Sequence, residues 1–162
     1  DITDEEVNEL YSHSKVKAMV SFTKGEGFGR PLLEFSLNKK PIIASAWSGQ
    51  LDFLDSNLTS LIAGTLTDVH KSALTKDTII EKSKWFTPDD VLVANAFKDV
   101  HKNYKSFLVK AKKLGYKNKI NFSLEKMSEE LGLILENTLP DFPKKIELNL
   151  PKLNLPKLQT NG

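Results

Sequence analysis

No cysteine occurs among the 162 residues, which excludes a disulfide framework and any thiolate metal site. The three histidines, His13, His70 and His101, stand far apart and show no ligand spacing, so no metal site is expected. No apolar run approaches the roughly 20 residues that cross a bilayer, and the opening residues carry no signal-peptide pattern. A net charge of only +2 gives no global pull toward nucleic acid or a membrane. Arginine is nearly absent as well: Arg30 is the only one, and every other fixed cation is lysine. The chain opens on Asp1 instead of methionine, which points to a processed or excised fragment.

What is present suffices for one packed domain. At 40% hydrophobic residues the chain lies well above the disordered range. Thr3-Asp4-Glu5-Glu6 reads as a capping box, and Val7, Leu10 and Tyr11 continue it as a short amphipathic helix to about Ser14. Residues 16–22, nearly all apolar from Ala18 onward, read as a strand buried on both faces, as parallel strands are. After a glycine-rich stretch, Pro31 opens a second helix that Asn38 is expected to end in the left-handed conformation. Residues 41–45 are a second buried strand, 51–54 a helical turn and 60–63 a third strand. This alternation predicts a parallel α/β layer with right-handed crossovers.

The second half reads as helical. Thr87-Pro88-Asp89-Asp90 has the look of a capping hydroxyl, an N1 proline and acidic residues near the positive end of the dipole. A long helix is expected from there, with a stripe of Leu92, Ala96, Val100, Tyr104, Phe107, Leu108 and Ala111, closed near Gly115. Ser123 caps a further helix whose stripe is Leu124, Met127, Leu131, Ile134 and Leu135, with Phe122 and Met127 placed as a hydrophobic staple. Residues 1–138 thus form one domain, and 139–162 an extended tail in which an Asn-Leu-Pro-Lys-Leu unit repeats. Proline at that period excludes helix and central strand.

Chemistry concentrates in residues 23–34, between a predicted strand and a helix N-terminus, where open α/β sheets bind ligands. Gly25, Gly27 and Gly29 can take positive φ and admit a ligand close to the backbone. Free amides at the helix start favour a phosphate, and Lys24 and Arg30 add positive charge. Two carboxylates flank the segment: Glu26 in the loop and Glu34 about one turn into the helix. Carboxylates accept hydrogen bonds from vicinal hydroxyls. One loop therefore offers donors for a diphosphate and, on either side, acceptors for two polyols, which is the layout of a nucleotide sugar.

The segment from Glu26 to Glu34 resembles the E-x7-E signature of retaining GT-B glycosyltransferases. The likeness extends on both sides, over about residues 3–138. Thr3 to Tyr11 resembles the helix before the motif, and Lys40 to Ser45 the strand after it. Ser48 to Asp52 resembles the next loop; Trp85 to Asp89 and Phe122 to Lys126 are similar to late helical segments. The resemblance implies the C-terminal, donor-binding half of such an enzyme: a Rossmann-like parallel sheet followed by packing helices. It implies that Glu34 binds the ribose diol and that Glu26, the catalytic position, holds a hydroxyl of the transferred sugar. Gly27, Phe28 and Gly29 would present amides to the sugar or diphosphate, and Thr23 would reach a phosphate oxygen. Lys24 or Arg30 would stabilise the leaving diphosphate. No cofactor or metal is implied, since helix dipoles and cationic side chains serve that purpose.

The family has Gly-Gly and then Glu where this chain has Ser48-Gly49 and then Asp52. The upstream Arg/Lys pair and the acceptor domain of the family fall outside the sequence, so the chain alone is expected to be inactive. A nucleotide-sugar donor is the expected partner, with an acceptor of unspecified class, no nucleic acid and no transmembrane segment. The cytoplasm is the expected location, with peripheral membrane contact through the lysine-rich 98–113 segment as a variant. A non-catalytic Rossmann-like interaction module is the alternative. A dinucleotide-binding oxidoreductase is disfavoured because G-x-G-x-x-G is absent. Trp47 and Trp85 read as packing residues.

Overall fold

Thr3 sets the first helix, α1 (Asp4–Ser12), through local chemistry alone. In the computed structural model, which describes residues 2–75 and 78–140, the Thr3 hydroxyl accepts the Glu6 amide at 3.2 Å and the Glu6 carboxylate accepts the Thr3 amide at 2.8 Å. The far end of α1 is closed from a distance. Lys40 Nζ donates to the carbonyls of Tyr11 and His13 at 2.6 and 2.7 Å, placing a cation at the negative end of the helix dipole. Burial, and then the nearby Lys17, hold the Lys40 ammonium below the ordinary lysine pKa.

The fold is mixed α/β. Strands β1 (Met19–Ser21), β2 (Ile42–Ser45) and β3 (Ser60–Ile62) form a parallel sheet in the order β1-β2-β3, separated along the chain by α2 (Arg30–Leu37) and a 3-10 turn at Gly49–Asp52. Met19 pairs with Ile42, and Ile43 with Ser60. Every residue of the central strand β2 is buried. Its alternate side chains supply two cores, as the period of a strand requires. Ile42 and Ala44 meet Leu32, Phe35, Phe53, Leu54 and Leu114 on one face; Ile43 meets Ile62 and Val100 on the other.

Three helices follow: α3 (Asp90–Lys102), α4 (Tyr104–Asn121) and α5 (Leu124–Thr138). Helix α3 contributes Val100, Val93 and Ala96 to the second core, and α4 contributes Leu114 to the first. The single long helix expected from the stripe is therefore two. It breaks at Asn103, whose φ of −110° and ψ of 29° leave the helical region and whose side chain donates to Asp99. That break lets one continuous apolar pattern serve both faces of the sheet.

Several local expectations yield to tertiary contacts. Thr87 and Pro88 do not cap α3; they end strand β5 (Lys84–Pro88), which pairs antiparallel with β4 (Gly64–Asp68). The cap is Asp89, whose carboxylate accepts the Leu92 amide at 2.9 Å. Gly115 does not stop a helix but lies inside α4, where a Cβ would sit 2.6 Å from the Ser36 carbonyl oxygen. The missing side chain lets α4 approach α2, and Asn118 Nδ2 then donates to Ser36 Oγ at 2.9 Å across the buried contact. At the end of α2, Asn38 stays right-handed (φ −77°) and the next residue, Lys39, takes the left-handed turn at φ 59°. Strand β1 is shorter than 16–22 and is not buried on both faces, because it is the sheet edge and Val20 is 39% exposed.

Helix α5 is capped as expected, Ser123 Oγ accepting the Lys126 amide at 3.2 Å. Its stripe, however, stays exposed among the described residues: no residue of α5 is buried, and Leu124, Met127, Leu131, Ile134 and Leu135 are all exposed. Residues 141–162, which hold most of the repeat-bearing tail, lie outside the described residues. No helix among the described residues is long and apolar enough to cross a membrane.

Candidate functional site

The segment 22–29 joins the end of β1 to the start of α2 and is held in place by the loop after β2. Ser48 is the clasp. Its hydroxyl accepts the Glu26 amide at 3.2 Å and donates to the Glu26 carbonyl, while the Gly49 amide donates to the same carbonyl at 3.4 Å. Ser48 reaches this position with φ 73° and ψ −166°, a backbone region that L side chains rarely occupy and that costs on the order of 1–3 kcal/mol. Gly49 approaches so closely that a Cβ would lie 2.0 Å from the Gly27 carbonyl oxygen.

Two further anchors hold the ends. The Phe28 ring packs on Phe53 and Phe122, with centroids 5.2 and 6.0 Å away. On the other side the Phe86 amide donates to the Lys24 carbonyl at 3.1 Å, tying the segment to β5. Trp47 stacks on Phe86 with centroids 5.6 Å apart and planes 3° from parallel. This is the packing role expected of that tryptophan.

Of the three loop glycines only Gly29 has positive φ, at 85°, and it forms the N-cap of α2 in the left-handed conformation. Gly25 and Gly27 are needed neither for positive φ nor for close contact within the chain, since a Cβ on either would meet nothing within 4 Å. Their outer side is open. Thr23 and Lys24 are exposed.

The charged residues divide between different surroundings. Arg30 Nε and Glu34 Oε1 are 2.8 Å apart, one helical turn from each other on α2. Both line a cleft of about 370 Å³ between α1 and α2, whose other polar walls include Asp4, Asn8, Tyr11 and Asn38. Glu26 is not among the residues lining that cleft; it belongs to the Ser48–Gly49 clasp. The Lys24 ammonium lies 5.5 Å from the centroid of the Trp85 ring. Both cations near the loop thus have partners within the chain: Arg30 a carboxylate and Lys24 a ring face. Asp52 lines a separate, more open cleft of about 650 Å³ together with Asp55 and Lys117.

In the sequence Ser48 and Gly49 mark only a departure from the family's loop; their hold on Glu26 appears once the two loops are in contact. Gln50, fully buried, donates from Nε2 to the Ser45 carbonyl at 2.9 Å and supports the same turn. Among the described residues no group of three or more His, Cys, Asp or Glu side chains could hold a metal ion. Neither a protein-family model nor a curated protein matches the chain.

Proposed function

We propose that this chain is the donor-binding part of a retaining GT-B glycosyltransferase, a Rossmann-like domain that holds a nucleoside diphosphate-sugar. The observation that carries the reading is the pairing of the E-x7-E segment with a strand-to-helix loop. Glu34 lies on the wall of a polar cleft, and the loop before it has open glycines on its outer side. A cleft of this size suits a nucleoside, and a carboxylate on its wall suits a vicinal diol.

In this reading Arg30 engages one oxygen of Glu34, and the second oxygen accepts from the ribose hydroxyls. Pro31 has no N–H, and the Leu32 and Leu33 amides donate to the Gly29 carbonyl. The guanidinium keeps its remaining N–H groups for the diphosphate, joined by the amides of residues 27–29 just before α2, with the helix dipole behind them. These donors take up charge as the glycosidic C–O bond breaks and the diphosphate departs. Glu26 orients the transferred sugar through a hydroxyl. The Ser48–Gly49 clasp fixes the loop beforehand, so that ordering it costs little on binding. Transfer itself requires an acceptor-binding part that these residues do not supply.

Amide chemical-shift mapping of the labelled chain with UDP-, GDP- and ADP-sugars tests the proposal. Shifts are expected at residues 26–34 and at Asp4 and Asn8 across the cleft. Shifts confined to other surfaces would contradict it. A second reading, a non-catalytic interaction module, is favoured by one observation, the apolar stripe of α5 that is exposed among the described residues; on that reading no nucleotide shifts any amide of the loop.

A further inference from the structure

Ser48 stands where glycine would be at ease. Its φ of 73° and ψ of −166° lie in a region essentially reserved for glycine, where a Cβ crowds the backbone. Lys39, the other non-glycine residue with positive φ among those described, follows the end of α2, where a left-handed turn is usual; Ser48 ends no helix. Two buried polar atoms of the same turn, Ser45 Oγ and Gln50 Oε1, have no hydrogen-bond partner among the described residues, and an unpaired buried oxygen is destabilising. Local penalties thus gather between residues 45 and 50. Glycine at 48 would take the same backbone without strain. What serine adds is one hydroxyl, and both of its bonds end on Glu26: it accepts the Glu26 amide at 3.2 Å and donates to the Glu26 carbonyl. The Gly49 amide donates to that carbonyl too.

These bonds converge on the N–H and the C=O of one residue, and Glu26 is half-buried between the exposed Gly25 and Gly27. Fixing the peptide groups on both sides of a Cα fixes the direction of its Cα–Cβ bond, and so where the carboxylate can reach. Strain of this kind persists where the surrounding structure holds a site ready, and stability is given up for geometry there. We propose that Ser48 is a positioning residue for Glu26, kept in a glycine conformation at a cost in stability so that its hydroxyl aims the Glu26 carboxylate at a hydroxyl of the transferred sugar. Ser48 acts through Glu26 and not on the sugar directly. Its role toward the sugar rests on the donor reading, whereas its hold on Glu26 does not. All the contacts involved lie within residues 26–50, with no sheet edge among them.

The test sets Ser48→Gly beside Ser48→Ala in the full chain. Alanine keeps the strained backbone without the hydroxyl; glycine loses the hydroxyl and the strain together. Ser48→Gly is therefore expected to unfold at a higher urea midpoint than Ser48→Ala, close to that of the parent. In both variants exchange of the Glu26 amide speeds about fivefold, the scale of one hydrogen bond. Calorimetry with UDP-glucose, GDP-mannose and ADP-glucose, in a double-mutant cycle with Glu26→Ala, reads the role toward the sugar. Ser48→Gly weakens the conjugate that binds about fivefold in the parent chain, and by less than about twofold once Glu26 is replaced. A midpoint for Ser48→Gly at or below that of Ser48→Ala, unchanged exchange at Glu26, or equal losses with and without the Glu26 carboxylate each overturn the proposal. A parent chain that binds none of the three conjugates overturns the donor reading and the sugar role with it. The urea and exchange results, which need no ligand, tell that failure apart from a failure of the clasp.

Discussion

Replacing Gly49 by alanine places a methyl group 2.0 Å from the Gly27 carbonyl oxygen, 2.7 Å from its carbon and 2.9 Å from Phe28 Cα. All three are backbone atoms, so no side-chain rotation relieves the clash, and the loop must move by more than an ångström to restore ordinary contact. That motion breaks the Gly49-to-Glu26 and Ser48-to-Glu26 bonds that clasp the segment. Lower chain entropy in the unfolded state returns about 0.4–1 kcal/mol. Overpacking costs about 1–3 kcal/mol, and lost hydrogen bonds add about 1 kcal/mol each. With all three clasp bonds lost, the net expectation is a loss of roughly 3–6 kcal/mol. Gly27→Ala is the internal control: its Cβ meets nothing within 4 Å and its φ is not positive, so its stability should stay within about 0.5 kcal/mol of the parent or rise slightly. Urea denaturation of both variants, compared through midpoint and slope, measures the difference. Equal stability of the two variants would refute the close-packed clasp.

Three other outcomes follow from the same packing. Gly115→Ala gains about 1 kcal/mol of helix propensity but sets its methyl 2.6 Å from the Ser36 carbonyl, so thermal melting should show a net loss; a gain would mean that α2 and α4 are not in close contact. Asp55, hydrogen-bonded to Lys117 at 2.9 Å, has its pKa lowered chiefly by that bond and then by the Asn57 amide. A carboxyl depressed on folding stabilises above its unfolded pKa of about 3.9 and loses that contribution as pH falls through the folded value. Asp55→Asn should therefore cost about 0.5–1 kcal/mol at neutral pH, a gap that closes in acid below about pH 4; a gap constant across that range would exclude the linkage. Lys40→Met removes its bonds to the Tyr11 carbonyl in α1 and to the His13 carbonyl at its C-cap, and should speed hydrogen exchange in the last turn of α1 while leaving β2 protected.

The elements legible from the sequence are those whose determinants are local. The Thr3 box and the Ser123 cap need only neighbouring residues, and both form. Residues 41–45 read as buried because all but Ser45 are apolar, and β2 is the central strand. Where a distant contact decides, local rules mislead. Thr-Pro-Asp is a good helix start, yet β4, on the far side of residues 69–83, takes Thr87 and Pro88 into a strand pair. Gly115 is a good helix stop by composition, yet its role is set by Ser36 on another helix. The stripe of α5 is as regular as any in the chain, and yet none of its residues is buried among the described residues; periodicity shows that a face is apolar, not what covers it. The candidate site divides in the same way. Its position between β1 and α2 is readable from the glycines and glutamates, whereas Ser48 shows in the sequence only as a departure from the family's loop, and its positive φ and two bonds to Glu26 come from tertiary contact.

If Glu34 holds the ribose of a nucleotide sugar, as proposed, its removal must weaken one nucleotide series. Calorimetric titration of the chain and of Glu34→Ala with UDP, GDP and ADP, with their sugars and with NAD, tests it most directly. One nucleotide series is expected to bind in preference to NAD, and Glu34→Ala to weaken it by about 1–3 kcal/mol, the loss of a charged hydrogen-bond partner. Unchanged affinity in Glu34→Ala, or a preference for NAD, would contradict it.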